Sequence, residues 1–275
     1  MLGQRVTPSV ASLVRLPGIR RLASGPQLNQ LTRLAPVLEL VREVDGTELL
    51  DAGSGSRGIA PWLPGWSVTA FDSSFDDYGA ATGPRSGSAR PVVGDIRAMP
   101  FDDRAFDVVV ALDVLEHVIA EDRPAALEEH ARVAGRRLVV ACPAGAAALA
   151  SDRRLAETLP DPPGWLEEHL ANGFPEADEL VAALEPLGRV RLLANEYVPS
   201  HQRLVRAELS PLPALGLRLV AAALSSALRS GPSLRRAGER VLLWVRGHDR
   251  LPAYRAVIVL DLSPAHRPIG EGHHG

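Results

Sequence analysis

The apolar positions of this chain switch between two periods. From Leu31 they recur at Leu34, Val37, Leu38 and Val41, the spacing of one helix face. Asp45-Gly46 ends that helix as a turn signal. Short apolar runs follow at 48–50, 67–72, 91–94, 106–112 and 137–141, and again at 189–193 and 255–260. Each has the length of a strand. The run Phe106-Asp107-Val108-Val109-Val110-Ala111-Leu112 has the nearly continuous apolar character of a strand covered on both faces. Between the runs, 125–134 and 177–187 read as helices and 59–63 as a short helix stopped by Pro64-Gly65. The Ser-, Gly- and Asp-rich stretch 73–90 reads mostly as loop. Residues 198–254 exceed one crossover and hold helical stretches at 215–228 and 234–245. Strands alternating with helices at this pace predict a Rossmann-like α/β sheet with helices on both faces.

Composition narrows the function classes. The chain has 275 residues, of which 46% are hydrophobic, enough for a large core. A formal net charge of -3 gives no reason to expect a nucleic-acid partner. The lone Cys142 excludes an internal disulfide, and its apolar neighbours make it a core residue. No metal site is expected. No apolar stretch reaches the ~18 residues of a spanning helix, and the N-terminus lacks a clean signal-peptide pattern. The expected location is therefore cytoplasmic. The expected division is an N-terminal helical arm at 1–45, an α/β domain at 46–262 with a helical insertion at 198–254, and a disordered tail at 263–275.

The candidate chemistry starts at Leu49-Leu50-Asp51-Ala52-Gly53-Ser54-Gly55-Ser56-Arg57-Gly58. A strand running into a glycine turn is the form of a nucleotide-binding corner. Gly53, Gly55 and Gly58 satisfy the dinucleotide spacing. Asp72 ends the next strand, 21 residues after Asp51, where an acid can hold ribose hydroxyls. Taken alone, this reads as an NAD-dependent oxidoreductase. Asp51 argues otherwise: a carboxylate two residues before Gly53 repels a pyrophosphate and suits an ammonium group. Asp95, after the third strand and beside the apolar Ile96, can accept from an adenine amino group. Leu112-Asp113-Val114-Leu115-Glu116-His117 sets polar groups at the mouth of the sheet.

Together these runs resemble the successive motifs of class I S-adenosylmethionine-dependent methyltransferases. The resemblance rests on Leu50 to Ser56, Phe71-Asp72, Gly94-Asp95 with Met99-Pro100-Phe101, and Phe106 to Val109 leading into Asp113-Val114-Leu115-Glu116-His117. It is closest to the small-molecule type with the D-V-L-E-H run. It implies a seven-stranded sheet, last strand antiparallel, with S-adenosylmethionine across its carboxyl edge. It further implies that Gly53, Ser54 and Gly55 line the methionine part and that Asp51 faces its amino group. Asp72, with Ser73 beside it, would hold the ribose. Asp95 and Ile96 would frame the adenine, and Leu112 and Asp113 would close the site near the sulfonium. The chain departs from the family at Arg57, where a glycine is usual; here the glycine comes one residue later, at Gly58.

Asp113 and Glu116 also have the spacing of a helix capping box. His117 is either a general base or a structural partner of the pocket. His169 and His201 are further candidates. The expected reaction is methyl transfer to a small molecule, with glycan and lipid-linked acceptors among the candidates. A non-catalytic S-adenosylmethionine-binding sensor or partner subunit is the alternative from another class. In the insertion, Leu212, Leu215, Leu219, Val220 and Leu224 form an apolar stripe near several arginines. It reads as a helix pair packed on the sheet, with a peripheral membrane or lipid-like contact through 211–246 as the alternative.

Overall fold

The computed structural model describes residues 26–55, 58–75, 89–247 and 250–262. The expected loose arm before residue 26 and the tail after 262 lie outside the described residues, as does most of the 73–90 loop.

Seven strands form one sheet in the order β3-β2-β1-β4-β5-β7-β6. They are β1 (Glu48–Ala52), β2 (Ser67–Asp72), β3 (Ala89–Val93), β4 (Phe106–Leu112), β5 (Ala134–Pro143), β6 (Gly188–Tyr197) and β7 (Ala253–Leu262). The first five pair in parallel, and β7 runs antiparallel to both β5 and β6. The order reverses between β1 and β4. In open α/β sheets that switch point is where a crevice opens at the carboxyl ends. Asp51, Asp72 and Leu112 all lie on the last two residues of their strands.

Strand alternation divides the core into two layers. Leu49, Val108, Val110, Val139, Ala141, Val257 and Val259 face one side; Leu50, Val109, Ala111, Leu138, Val140, Cys142, Ile258 and Leu260 face the other. The register carries this across the sheet, with Leu50 beside Val109, Val109 beside Leu138 and Leu138 beside Leu260. The second face is covered by α2 (Arg123–Val133) and α5 (Ala177–Leu184). The first is covered by α1 (Leu28–Arg42), α7 (Pro211–Leu228) and α8 (Pro232–Arg246).

Helix α1 carries Pro36 in its interior. That removes the hydrogen bond to the Thr32 carbonyl and costs ~3 kcal/mol. The helix also buries Leu31, Leu34, Val37, Leu38 and Val41, each contributing ~1.5–3 kcal/mol, so packing wins. The segment set apart by sequence as an arm therefore supplies part of the core.

Four local expectations change. The short helix at 59–63 is a single 3-10 turn, Ala60–Trp62, because Pro61 opens it and Pro64 follows closely. Strand β6 continues past residue 193 to Tyr197. Three helices were not expected as such: α3 (Gly145–Ala156), α4 (Gly164–Asn172) and α6 (Val198–Leu209). In α7 the buried face is Ala221, Leu224, Ser225 and Leu228, while Leu215, Leu219 and Val220 are exposed. The apolar stripe read from the sequence thus splits, with Leu215, Leu219 and Val220 facing outward and Leu224 inward. No single helix among the described residues is long and apolar enough to cross a membrane.

Candidate functional site

The glycine turn after β1 leans onto the end of β2. The Gly53 and Ser54 amides donate to the Phe71 carbonyl at 2.8 and 3.2 Å. The Gly55 amide donates to Asp72 Oδ2 at 2.8 Å, and the Ser74 amide to Asp72 Oδ1 at 3.2 Å. Gly53 and Gly55 hold φ of 73° and 52°, a region that disfavours side chains. A Cβ on Gly53 would also run into the Val114 side chain. The turn is thus wedged between β2 and the segment after β4. Ser54 Oγ turns back onto the Gly55 carbonyl, and Ser73 is exposed beside Asp72.

Asp51 is buried and accepts the Ile59 amide at 2.7 Å. Burial is the main cause that pushes its carboxyl up to about 7, with the nearby Asp72 adding to it and the Ile59 hydrogen bond opposing. Asp95 lies at the outer part of the same edge. It is half exposed and takes the Arg97 guanidinium on both oxygens at 3.0 Å and the Arg97 amide at 2.9 Å. Those hydrogen bonds hold it down to about 2. Ile96 packs against the α2-side core, and Leu112 against the α1-side core.

Asp113 does not cap a helix. Its φ is 56°, and the segment that follows is a 3-10 turn, Leu115–His117, with no side-chain cap. The capping-box reading of Asp113 and Glu116 is corrected accordingly. The Asp113 carboxylate pairs instead with Arg33 of α1 and with Arg255 of β7. Burial opposes its charge, but Arg255 and Arg33 hold the carboxyl below the usual range. Arg255 also pairs with buried Glu196, which accepts Thr32 Oγ1 at 2.6 Å. A polar network thus ties α1, β4, β6 and β7 together beneath the mouth of the sheet. Arg255, Glu196 and Arg33 were not singled out in the sequence. The available signal was a charge in the apolar run of β7, which is otherwise buried from Tyr254 to Leu260.

The histidines stand beside this network. His117 is partly exposed, with Nδ1 2.9 Å from Glu168 Oε2. His169 is buried, with Nδ1 2.8 Å from Asp152 Oδ2, which also accepts the Tyr254 hydroxyl at 2.9 Å. The two imidazole centroids are 5.2 Å apart. His201 is elsewhere: its ring stacks on Tyr254 at 3.5 Å, near Glu196. Burial and then the Asp113 charge push the Glu116 carboxyl well above its usual range.

Beyond β6, a groove of about 700 Å3 opens between α6 and the end of α8. Arg203, Arg240 and Arg250 line it with Leu204, Leu243 and Trp244.

Comparison with known proteins bears on the domain and its fold. Residues 50–137 match the family model described as a methyltransferase domain. Among curated proteins, none matches the chain in sequence. Among solved structures, the fold is shared with a candidate methyltransferase from an antibiotic biosynthesis pathway of Anabaena variabilis. That chain is 17% identical, with 84% of this chain and 99% of that one covered and a TM-score of 0.51. The plantazolicin methyltransferase BpumL, solved with a triazolic desmethylPZN analog and S-adenosylhomocysteine (SAH), is 14% identical. There 92% and 95% of the two chains are covered, with a TM-score of 0.52. The dinucleotide alternative falls with these matches and with the antiparallel β7. Residues 50–137 thus match a methyltransferase domain, and the chain has the fold of the S-adenosylmethionine-dependent methyltransferases, with a seven-stranded sheet whose last strand is antiparallel.

Proposed function

We propose that the protein methylates a small-molecule acceptor that is partly apolar and anionic, of the lipid-linked kind. The observation that carries this reading is the groove between α6 and α8, whose lining combines three arginines with Leu204, Leu243 and Trp244. Such a surface suits a phosphate or carboxylate attached to an apolar chain. Strand β6 runs parallel to β5, so Tyr197 and the start of α6 stand at the carboxyl edge of the sheet. The groove is therefore toward the carboxyl edge of the sheet, where S-adenosylmethionine is proposed to bind.

The chain's own residues fit the cofactor. Asp51 is a buried carboxylate that an ammonium group would relieve. The positive-φ turn at Gly53 and Gly55 exposes main chain at the switch point. Asp72 has one oxygen on the Gly55 amide and one on the Ser74 amide, and each keeps lone-pair capacity for a ribose hydroxyl. Asp95 would meet the adenine only by sharing its oxygens with Arg97. When bound, the cofactor supplies a methyl group on a sulfonium, which needs little activation. What the protein must do is orient the acceptor in line with that methyl and keep water out. Asp113, held by Arg33 and Arg255, fixes the floor on which both would meet.

The test is incubation of the purified chain with methyl-labelled S-adenosylmethionine and either a total lipid extract or an aqueous metabolite extract. Label in the organic phase is expected. Label confined to the aqueous extract would remove the lipid-linked acceptor, and no label in either would remove the methyl-transfer reading.

A further inference from the structure

The structure gathers a donor set that the sequence reading did not expect. Glu116, His117 and His169 each place one potential ligand atom within 4.8 Å of the other two. Glu116 and His117 come from the 3-10 turn after β4, and His169 from α4. We propose that these three residues form a binding site for a divalent transition-metal ion, of the kind that two imidazoles and one carboxylate hold.

Three observations support it. Glu116 is 1% exposed, and its Oε2 is buried with no hydrogen-bond partner. A buried carboxylate oxygen left in that condition is costly unless something positive meets it. Second, both imidazoles have Nδ1 on a carboxylate, His117 on Glu168 and His169 on Asp152. That arrangement fixes the tautomer and leaves Nε2 for a metal, and it is how ligating histidines are commonly oriented. Third, Asp152 is itself anchored by the Tyr254 hydroxyl, and Trp165 and Phe174 pack edge-on against the His169 ring at 5.2 Å. The buried ligand is thus held rigidly, while His117 is partly exposed and able to move.

Donors sharing one ion through bonds of ~2 Å stand roughly 3.3 Å apart in a tetrahedral site. The cluster must close by at most roughly 1.5 Å, a rotamer-scale adjustment that His117 can supply. Imidazole donors select zinc, cobalt, nickel or iron over magnesium and calcium, which prefer oxygen alone. Three protein ligands leave a fourth position open. It would take an oxygen of the acceptor, a role that rests on the methyl-transfer reading; the metal site itself does not.

The experiment uses the full chain stripped with chelator and titrated with Co2+ and with Zn2+. The expected result is one ion per chain at micromolar Kd or tighter, with visible cobalt absorption bands. Glu116→Gln and His117→Ala should each weaken binding at least tenfold, and His169→Ala more strongly. Since His169 is buried, His117→Ala is the deciding variant if His169→Ala fails to fold. Binding no tighter than millimolar, or binding unchanged in Glu116→Gln and His117→Ala, would overturn the site; the latter would place the ion elsewhere, such as the tail residues His273-His274. SAH titration of the same samples separates the two proposals, because loss of SAH binding with metal binding intact would strike only the functional reading.

Discussion

Asp72 holds Gly55: one carboxylate oxygen at the end of β2 receives the amide of the glycine turn that follows β1, at 2.8 Å. The residue proposed to bind the ribose therefore also shapes the turn that lines the cofactor. Asp72→Ala should lose both contributions. A charge-assisted hydrogen bond contributes ~1.5–3 kcal/mol, so the SAH Kd should rise on the order of tenfold to a hundredfold. Calorimetric titration checks this, and an unchanged Kd would refute the assignment.

Gly53 is constrained twice, by its φ of 73° and by Val114. Gly53→Ala should destabilise the fold by ~2 kcal/mol or more, combining left-handed strain with overpacking. Adding Val114→Ala should recover the steric part and leave ~1–2 kcal/mol of backbone strain. Chemical denaturation of the two variants separates the contributions.

The Asp51 carboxyl is pushed up to about 7, whereas in the unfolded chain it ionises near 4. Between those values the folded chain keeps a proton that the unfolded chain has lost. This group's stabilisation is therefore full below pH ~4, declines as pH rises to 7, and is lost above. Relative to the wild type, Asp51→Asn should gain thermal stability across that range, and an offset that is flat or falls would contradict the shift. An ammonium group beside Asp51 favours its ionised form, so SAH affinity should strengthen as pH approaches 7.

Arg255 is buried between Asp113 and Glu196. Arg255→Met should cost ~3–5 kcal/mol, because two carboxylates lose their partner rather than because one ion pair is missing. At ~2–4 °C per kcal/mol for a domain of this size, Tm should fall on the order of 10 °C. A change of a degree or two would mean that the network is not structural.

Trp244 is 84% exposed on α8. Trp244→Ala combined with Arg240→Ala should raise the acceptor KM several-fold while leaving SAH affinity unchanged. Equal effects on both would place the groove's role in folding instead.

Much of the fold was legible because its signals are local. Each of β1, β2 and β4 is an apolar run with an aspartate at or next to its carboxyl end (Asp51, Asp72 and Asp113), and the glycine turn sits within one stretch of chain. Asp51, Gly53, Gly55 and Asp72 could be read together for that reason. Arg255 and Glu196 could not: they meet Thr32, Asp113 and each other across 59 to 164 residues, and only the crossing of α1, β6 and β7 brings them together. The phase of α7 was misread because its buried face is set by α1 and α8 rather than by the sheet alone. His117 and His169 were each singled out, but their proximity depends on α4 folding back over the turn after β4.

The contact of α1 with α7 and α8 has an evolutionary consequence. Ala221, Leu224, Leu228 and Leu242 belong to the same apolar layer as Leu31, Val37 and Leu38, and Arg42 bonds both Glu239 and the Trp62 carbonyl. The insertion is thus not a cap that could be exchanged wholesale between relatives with different acceptors. Exchanging it would uncover the first helix and the apolar layer it shares with the sheet. Under the proposed reading, acceptor preference is expected to change through substitutions on the outward faces of α6, α7 and α8, with the inward faces held fixed.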